Sequence, residues 1–433
     1  MRLSTRGKIT IAALIAALIA AFSVMLFFTQ NYWRESQLWG AAEAQTVIRD
    51  RARSANSFID SIGLATHLRY TDTSYGRYAD VVEPRLRELG IRHIRDGGNN
   101  QEMFDKMNRL AQLGIRSTLV MDLRDNINPG NVVSIVKKVL SAAAAIEGPN
   151  EWDVNNVPYN GKGFPENVRD FQTGIFNAMK RDPVTANIPV LAPSMAIPEN
   201  GVLLGSLRSV LDFGNMHSYA GGNPPGQDLS NRWIPLTQRV SGDRPIIITE
   251  TGWHTAVNDR NASQRGVSEA VFGKYVPRAY LDYFRRGIAR SFIYELMDER
   301  AADSQENKFG LVRFDGSVKP GFATLRNMVR ILNDSAGGTL GTLNYSLTGS
   351  TKNVERLLLQ KRSGDYYLVL WLNVASTDRT VTQRIALNLV TPVRQVATYL
   401  PSRSDQPIAT VTNPQRLTLD VPDAPLIVRL VPR

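Results

Sequence analysis

The chain has 433 residues, 43% hydrophobic and 21% charged, with a formal charge of +11 and no Cys. That length suits two or three folded units, or one large barrel with an added piece, and the apolar share excludes disorder over most of it. Without Cys there is no disulfide, thiolate zinc site or cysteine nucleophile, and with 4 His and no H-E-x-x-H pair neither a metal nor another cofactor is expected.

Residues 9–28 are apolar apart from Thr10 and Ser23. At about 1.5 Å per residue the run matches a hydrocarbon core of about 30 Å. Arg2, Arg6 and Lys8 precede it, which puts the N-terminus inside and the remainder outside the cytoplasm. Phe27, Phe28, Tyr32 and Trp33 follow as an interfacial belt, and the small-residue triplet Ala42-Glu43-Ala44 lies well beyond. Residues 1–34 are therefore expected to be an uncleaved membrane anchor, with a cleaved signal peptide as the alternative. The polar stretch 35–60 reads as a stalk or linker, or as a segment that packs on the last domain.

From 61 to 335 short apolar runs alternate with amphipathic stretches, the pattern of βα units on a parallel sheet. Strands are expected at 61–68, 91–95, 117–123, 144–148, 189–192, 214–218, 245–249 and 291–296. The intervening helices fall near 78–89, 104–113, 132–143, 166–179, 202–211, 229–240, 270–286 and 323–333. In the second helix Phe104, Met107, Leu110 and Leu113 recur at helical spacing, and Gly114 closes it. Eight units of this size make an α/β chain with a (β/α)8 TIM barrel. No G-x-G-x-x-G follows the first strand. Beyond 336 the runs at 351–361, 366–373, 380–387, 395–400, 416–421 and 426–430 read as a C-terminal antiparallel β-sandwich.

Lys and Arg are scattered, with no aromatic-interleaved basic cluster, so nucleic acid is not an expected partner. In a barrel the working residues sit at the C-terminal ends of the strands. Glu151 follows the fourth strand in Ile146-Glu147-Gly148-Pro149-Asn150-Glu151-Trp152, and Glu250 ends the seventh in Ile246-Ile247-Ile248-Thr249-Glu250. An unpaired charge at the end of a triple-Ile strand would be costly, so solvation at the surface does not account for it. Two carboxylates near Trp152 and Trp253 suit glycosidic bond cleavage, with the rings stacking on sugars.

The Asn-Glu after strand four with a Glu at strand seven resembles glycoside hydrolase clan A, the 4/7 superfamily. Ile94-Arg95-Asp96-Gly97, Met216-His217-Ser218-Tyr219, Phe309-Gly310-Leu311 and Asp315-Gly316-Ser317-Val318-Lys319-Pro320 add to the likeness. Together with Tyr294-Glu295-Leu296-Met297-Asp298-Glu299 and the sandwich, they point to family 39, family 5 and bacterial cellulase-family proteins. The resemblance implies Glu151 as general acid/base with a raised pKa and Glu250 as nucleophile with a lowered one. It implies Asn150 on the 2-hydroxyl of the sugar, Arg95 and Tyr219 orienting Glu250, and His217 as a wall. Tyr294 and Glu295 stand where many clan members carry a Trp, and His67 lies at the first strand's mouth. His93 reads as structural and His254 as a weak candidate.

The expected activity is that of an extracytoplasmic, membrane-anchored retaining glycoside hydrolase on a β-linked exopolysaccharide or cell-wall glycan. Carbohydrate and membrane are the expected partners. A transglycosylase using the same site and a non-catalytic glycan-binding component are the alternatives.

Overall fold

The structure is a computed structural model that describes residues 46–433. The expected anchor at 1–34 lies outside the described residues. Among the described residues no helix is long and apolar enough to cross a membrane. Residues 48–433 form one unit.

The chain starts with two short strands, β1 (Ile48–Arg51) and β2 (Arg53–Ser54). Seven parallel strands follow: β3 (Ile62–Ala65), β4 (His93–Gly97), β5 (Arg116–Val120), β6 (Ala143–Glu147), β7 (Gly214–His217), β8 (Ile246–Thr251) and β9 (Arg290–Ile293). They are ordered β6-β5-β4-β3-β9-β8-β7 in one curled sheet. Strands buried on both faces read as continuous apolar runs, as Ile246, Ile247 and Ile248 do.

The expected strand at 189–192 forms no ladder. It touches both sheet edges through isolated parallel bridges, Ile146 with Val190 and Leu191 with Phe213. Pro189 and Pro193 bracket this segment, and proline supplies no amide donor, so pairing is limited to the residues between them. The expected helix at 202–211 is likewise reduced to Asn200–Leu204 and a 3-10 turn at Arg208–Val210. By contrast, Gln101–Gln112 forms as expected: Asn100 caps it by accepting from the Met103 amide at 2.9 Å, and Gly114 follows at φ 81°.

Inside the curl, Ala145, Leu191, Ile247 and Phe292 make a small apolar plug. A Cβ on Gly63 would lie 2.4 Å from Phe292 Cδ1, so this position must be glycine for the ring to fit. Side chains repeat at every second residue of a strand. Glu147 therefore stands above Ala145 and Thr249 above Ile247, and a polar layer caps the plug.

Eight strands complete the chain: β10 (Thr342–Gly349), β11 (Val354–Gln360), β12 (Tyr366–Leu372), β13 (Thr382–Leu389), β14 (Val393–Tyr399), β15 (Pro407–Thr412), β16 (Arg416–Pro422) and β17 (Leu426–Pro432). They form sheets ordered β1-β10-β13-β16 and β15-β14-β17-β12-β11-β2. Of the two readings of 35–60, the described part, 46–60, follows the second and packs on the last domain, not the free linker: β1 joins one sheet, β2 the other, and Ala55–Asp60 is helical. Leu343, Tyr345, Leu368, Leu387 and Val428 fill the space between the sheets.

The helix Glu269–Arg285 ties the two layers of the molecule together. Lys274 Nζ donates to the Thr377 and Arg379 carbonyls, each at 2.8 Å, and to Asp423 Oδ2 at 3.1 Å. The Asp423 side chain is fully buried. Lys274→Met leaves that carboxylate without its cation, which should cost about 3 kcal/mol. Urea unfolding measures it; a loss below about 1 kcal/mol would show that the pair does not hold this junction.

Candidate active site

The C-terminal ends of the parallel strands carry a buried ionic cluster built around Arg95 on β4. Arg95 Nε and Nη2 donate to the two oxygens of Glu147 at 2.7 and 2.9 Å. Nη2 also donates to Asn150 Oδ1 at 2.7 Å, and Nη1 donates to Glu250 Oε1. Burial works against the guanidinium charge, but Glu147 and Glu250 outweigh it and raise the pKa. Burial likewise opposes the Glu147 carboxylate, yet Arg95 and His217 bring it down to about 2.

His217, the last residue of β7, lies among three carboxylates. Its Nδ1 is 2.7 Å from Glu151 Oε1 and 3.6 Å from Glu250 Oε2, and its Nε2 is 3.6 Å from Glu147 Oε1. Burial disfavours the imidazolium, but Glu250, Glu147 and Glu151 together push the pKa up to about 10. The ring therefore donates from both nitrogens, to Glu151 and to Thr249 Oγ1 at 3.0 Å. Thr249 in turn donates to Asn215 Oδ1 at 2.7 Å.

Glu151 lies four residues past β6 with φ 55°, in the left-handed region where a residue other than glycine stores strain of order 1 kcal/mol. Asp122 fixes this loop, accepting from the Asn150 amide at 3.2 Å and from Trp152 Nε1 at 3.0 Å. The expected rise in the Glu151 pKa is not what its surroundings supply. Burial does push it up, but the hydrogen bond and charge of His217 prevail and lower it. Across the cleft, Tyr219 donates to Glu250 Oε2 at 2.7 Å. One carboxylate oxygen each of Glu151 and Glu250, with one His217 nitrogen, lie within 4.8 Å of one another.

A cavity of about 590 Å³ opens over this cluster. Arg95, Asn150, Glu151, His217, Tyr219, Glu250, His67 and Tyr294 all line it, so these sequence-derived candidates converge. Trp152, Trp253 and Glu295 do not. Trp152 is fully buried against Phe171, and Trp253, 1% exposed, donates to the Asn223 carbonyl at 2.9 Å and packs on Tyr275. Neither indole face is open to a sugar. Glu295 is fully buried under the cavity wall and accepts from Tyr75 at 2.8 Å; burial, then the nearby Glu299, raises its pKa well above the carboxylate range.

His67 stacks on Tyr70 at 4.5 Å, and burial brings its pKa down to about 4. His93 pairs with Asp60 at the opposite end of β4, and His254 is buried against the Gln264 carbonyl. Asp298 pairs with Lys319 at 2.7 Å. Sequence reading missed Glu147, Asp122, Tyr70 and Phe309 as parts of the site. Glu147 closes the apolar strand Ala143–Glu147 just as Glu250 follows three Ile, and it carries the same signal in the sequence.

No protein-family model matches the sequence, and no curated protein matches it. Among solved structures the chain is similar to a family 39 glycoside hydrolase from the gut symbiont Bacteroides cellulosilyticus, with a TM-score of 0.59 and 14% identity over 87% of this chain and 82% of that one. A glucosidase from Croceicoccus marinus gives a TM-score of 0.55 at 12% identity, over 82% of this chain and 93% of that one. A bacterial orthologue of human α-L-iduronidase gives 0.53 at 11% identity, over 89% and 82%. At these identities the likeness is one of fold: this chain shares the architecture of glycoside hydrolases.

The electrostatics set a measurable pattern. With its folded pKa at about 10, above the ordinary 6.5, His217 adds stability that is complete below about pH 6.5 and lost as the pH rises through about 10. Nitrogen-15 NMR should find both His217 nitrogens protonated at pH 8, while His67, at about 4, is already neutral at pH 6. A His217 titration centred between pH 6 and 7 would contradict the cluster described above.

Proposed function

We propose that the chain is a retaining glycoside hydrolase whose curled sheet works as a (β/α)8 barrel, with Glu250 as nucleophile and Glu151 as proton donor and acceptor. The observation that carries this is that one oxygen of Glu151 lies within 4.8 Å of one oxygen of Glu250 across one cavity, close enough for a retaining pair and short of the gap an inverting pair keeps for water. Retaining pairs are separated by about 5–5.5 Å and inverting pairs by about 6.5–9.5 Å. The fold shared with glycoside hydrolases supports the same reading.

In the first step Glu250 forms a bond to the anomeric carbon while the glycosidic C–O bond breaks. The leaving oxygen takes its proton from Glu151. In the resting site that proton sits on His217 Nδ1, 2.7 Å from Glu151 Oε1. Glu250 is one of the three carboxylates, with Glu147 and Glu151, that hold it on the ring. When Glu250 becomes a neutral ester its attraction disappears, and the proton passes through Glu151 to the departing group. In the second step water adds to the anomeric carbon, its proton returns to the Glu151–His217 pair, and Glu250 leaves as carboxylate.

Arg95 and Tyr219 keep Glu250 oriented for attack. The Asn150 oxygen is held by Arg95, which leaves its amide NH2 for the sugar 2-hydroxyl. The substrate class we favour is a β-linked exopolysaccharide or cell-wall glycan. The apolar run at 9–28 is the basis for placing the enzyme outside the cytoplasm, tethered to the membrane.

Digestion of a polysaccharide array, with proton NMR of the first product formed, tests the reading. The released end should keep its anomeric configuration. Glu151→Gln should slow cleavage of a poor leaving group by about 10²–10⁴. An inverted product, or a Glu250→Gln variant with wild-type turnover, would overturn the assignment.

A further inference from the structure

Behind the wall of the cavity at His67 lies a second group of ligating side chains that the proposed reaction does not use. His67, just past β3, turns Nε2 towards the segment that follows β9. It lies 3.1 Å from Tyr294 Oη, 3.7 Å from Glu295 Oε2 and 4.0 Å from Glu299 Oε1. One atom each from His67, Glu295 and Glu299 lie within 4.8 Å of one another. The stack on Tyr70, with the rings only 4° from parallel, fixes the plane of the imidazole.

Two features show that this group is short of partners. Glu295 is fully buried, yet among the described residues its carboxyl group has only the hydrogen bond from Tyr75 to Oε2, and Oε1 has none. A buried carboxyl group left half satisfied is costly. Glu299 brings a second carboxylate to the same place, and among the described residues no Lys or Arg forms an ion pair with either. The cations nearby are engaged elsewhere, Arg300 with Asp72 and Lys319 with Asp298.

We propose that His67, Glu295 and Glu299 form a site for a first-row divalent cation such as zinc, with its open position facing the cavity. One imidazole nitrogen with two carboxylates is a borderline donor set suited to zinc or its neighbours, whereas calcium and magnesium prefer oxygen alone. Tetrahedral zinc with bonds of about 2.0–2.1 Å holds its ligand atoms about 3.4 Å apart, so the carboxylate oxygens 3.7 and 4.0 Å from His67 Nε2 need to move in by about 0.3 and 0.6 Å. His67 lines the cavity and Glu299 keeps 16% of its side chain exposed, which gives the ion a route in. At the open position the ion would take hydroxyl oxygens of whatever occupies the cavity. In the other trio, Glu151, His217 and Glu250, the ligating atoms are already engaged: His217 with Glu151, and Glu250 with Arg95 and Tyr219. The site stands on its own geometry and does not depend on the glycosidase reading.

Calorimetric titration of the chelator-stripped full chain with zinc chloride at pH 7 tests it, with the visible spectrum of bound Co²⁺ as a second readout. One ion per chain is expected, with the absorption of a tetrahedral nitrogen and oxygen site. His67→Gln and Glu299→Gln should each weaken binding about tenfold or more, and Glu151→Gln and Glu250→Gln should leave it unchanged. Glu299 is partly exposed, so its variant keeps the test open if the His67 variant fails to fold. Three results would overturn the proposal: no binding tighter than millimolar, wild-type affinity in both His67→Gln and Glu299→Gln, or a loss that follows Glu151 and Glu250. Glu299-dependent binding of glucosamine without zinc binding would assign the cluster to an ammonium group and equally overturn it.

Discussion

The Arg95 guanidinium is the constraint on which the site depends. It joins β4 to β6 through Glu147, to the loop after β6 through Asn150, and to β8 through Glu250. A charge this deep is tolerable only when its donors are filled, and removing one member strands the others in a dry interior. Glu147 has a specific part in this balance. By taking two of the guanidinium hydrogen bonds from the side away from the cavity, it stops Arg95 from swinging wholly onto Glu250. The Glu250 carboxylate is thereby oriented by a cation without being consumed by it.

The layer beneath explains why the cluster stays in place. Ala145, Leu191, Ile247 and Phe292 close the bottom of the curl. Two residues further along β6 and β8 stand Glu147 and Thr249. Strand alternation thus converts a short apolar run followed by one polar residue into a plug with a polar lid. The Gly63 position, filled from across by Phe292, lets the plug pack without opening the ring of strands.

Much of this was legible in the chain itself, because parallel strands buried on both faces announce themselves as apolar runs and the polar residues that end them stand out. Glu151 and Glu250 were found that way, Arg95, His217 and Tyr219 through the resemblance to clan A, and the structure brings all five to one cavity. What the sequence hid was direction. Trp152 and Trp253 neighbour the working segments in the chain, but Trp152 opens a helical turn and points into the core. Trp253 follows the end of β8 and is drawn down to the Asn223 carbonyl. The weak fifth strand was hidden differently, since its residues are apolar and only the flanking Pro189 and Pro193 limit its pairing. The sequence left the 46–60 segment open between a stalk and a piece packed on the sandwich, because a four-residue and a two-residue strand leave too short a periodicity to decide.

The same proximity that makes the cluster stable also decides where its proton rests. Burial alone would have made Glu151 the protonated member, as the resemblance to known enzymes implied. With three carboxylates around one imidazole, the ring holds the proton instead. The resting cluster then contains two cations, Arg95 and His217, against three anions. In the proposed first step Glu250 turns into a neutral ester and the His217 proton leaves with the departing sugar. One cation then faces two anions, so the net charge of the buried cluster is the same before and after. No new charge has to be created in a medium that would penalise it. The bond made at Glu250 is itself what loosens the proton from His217, so bond formation and proton delivery are coupled through one electrostatic attraction.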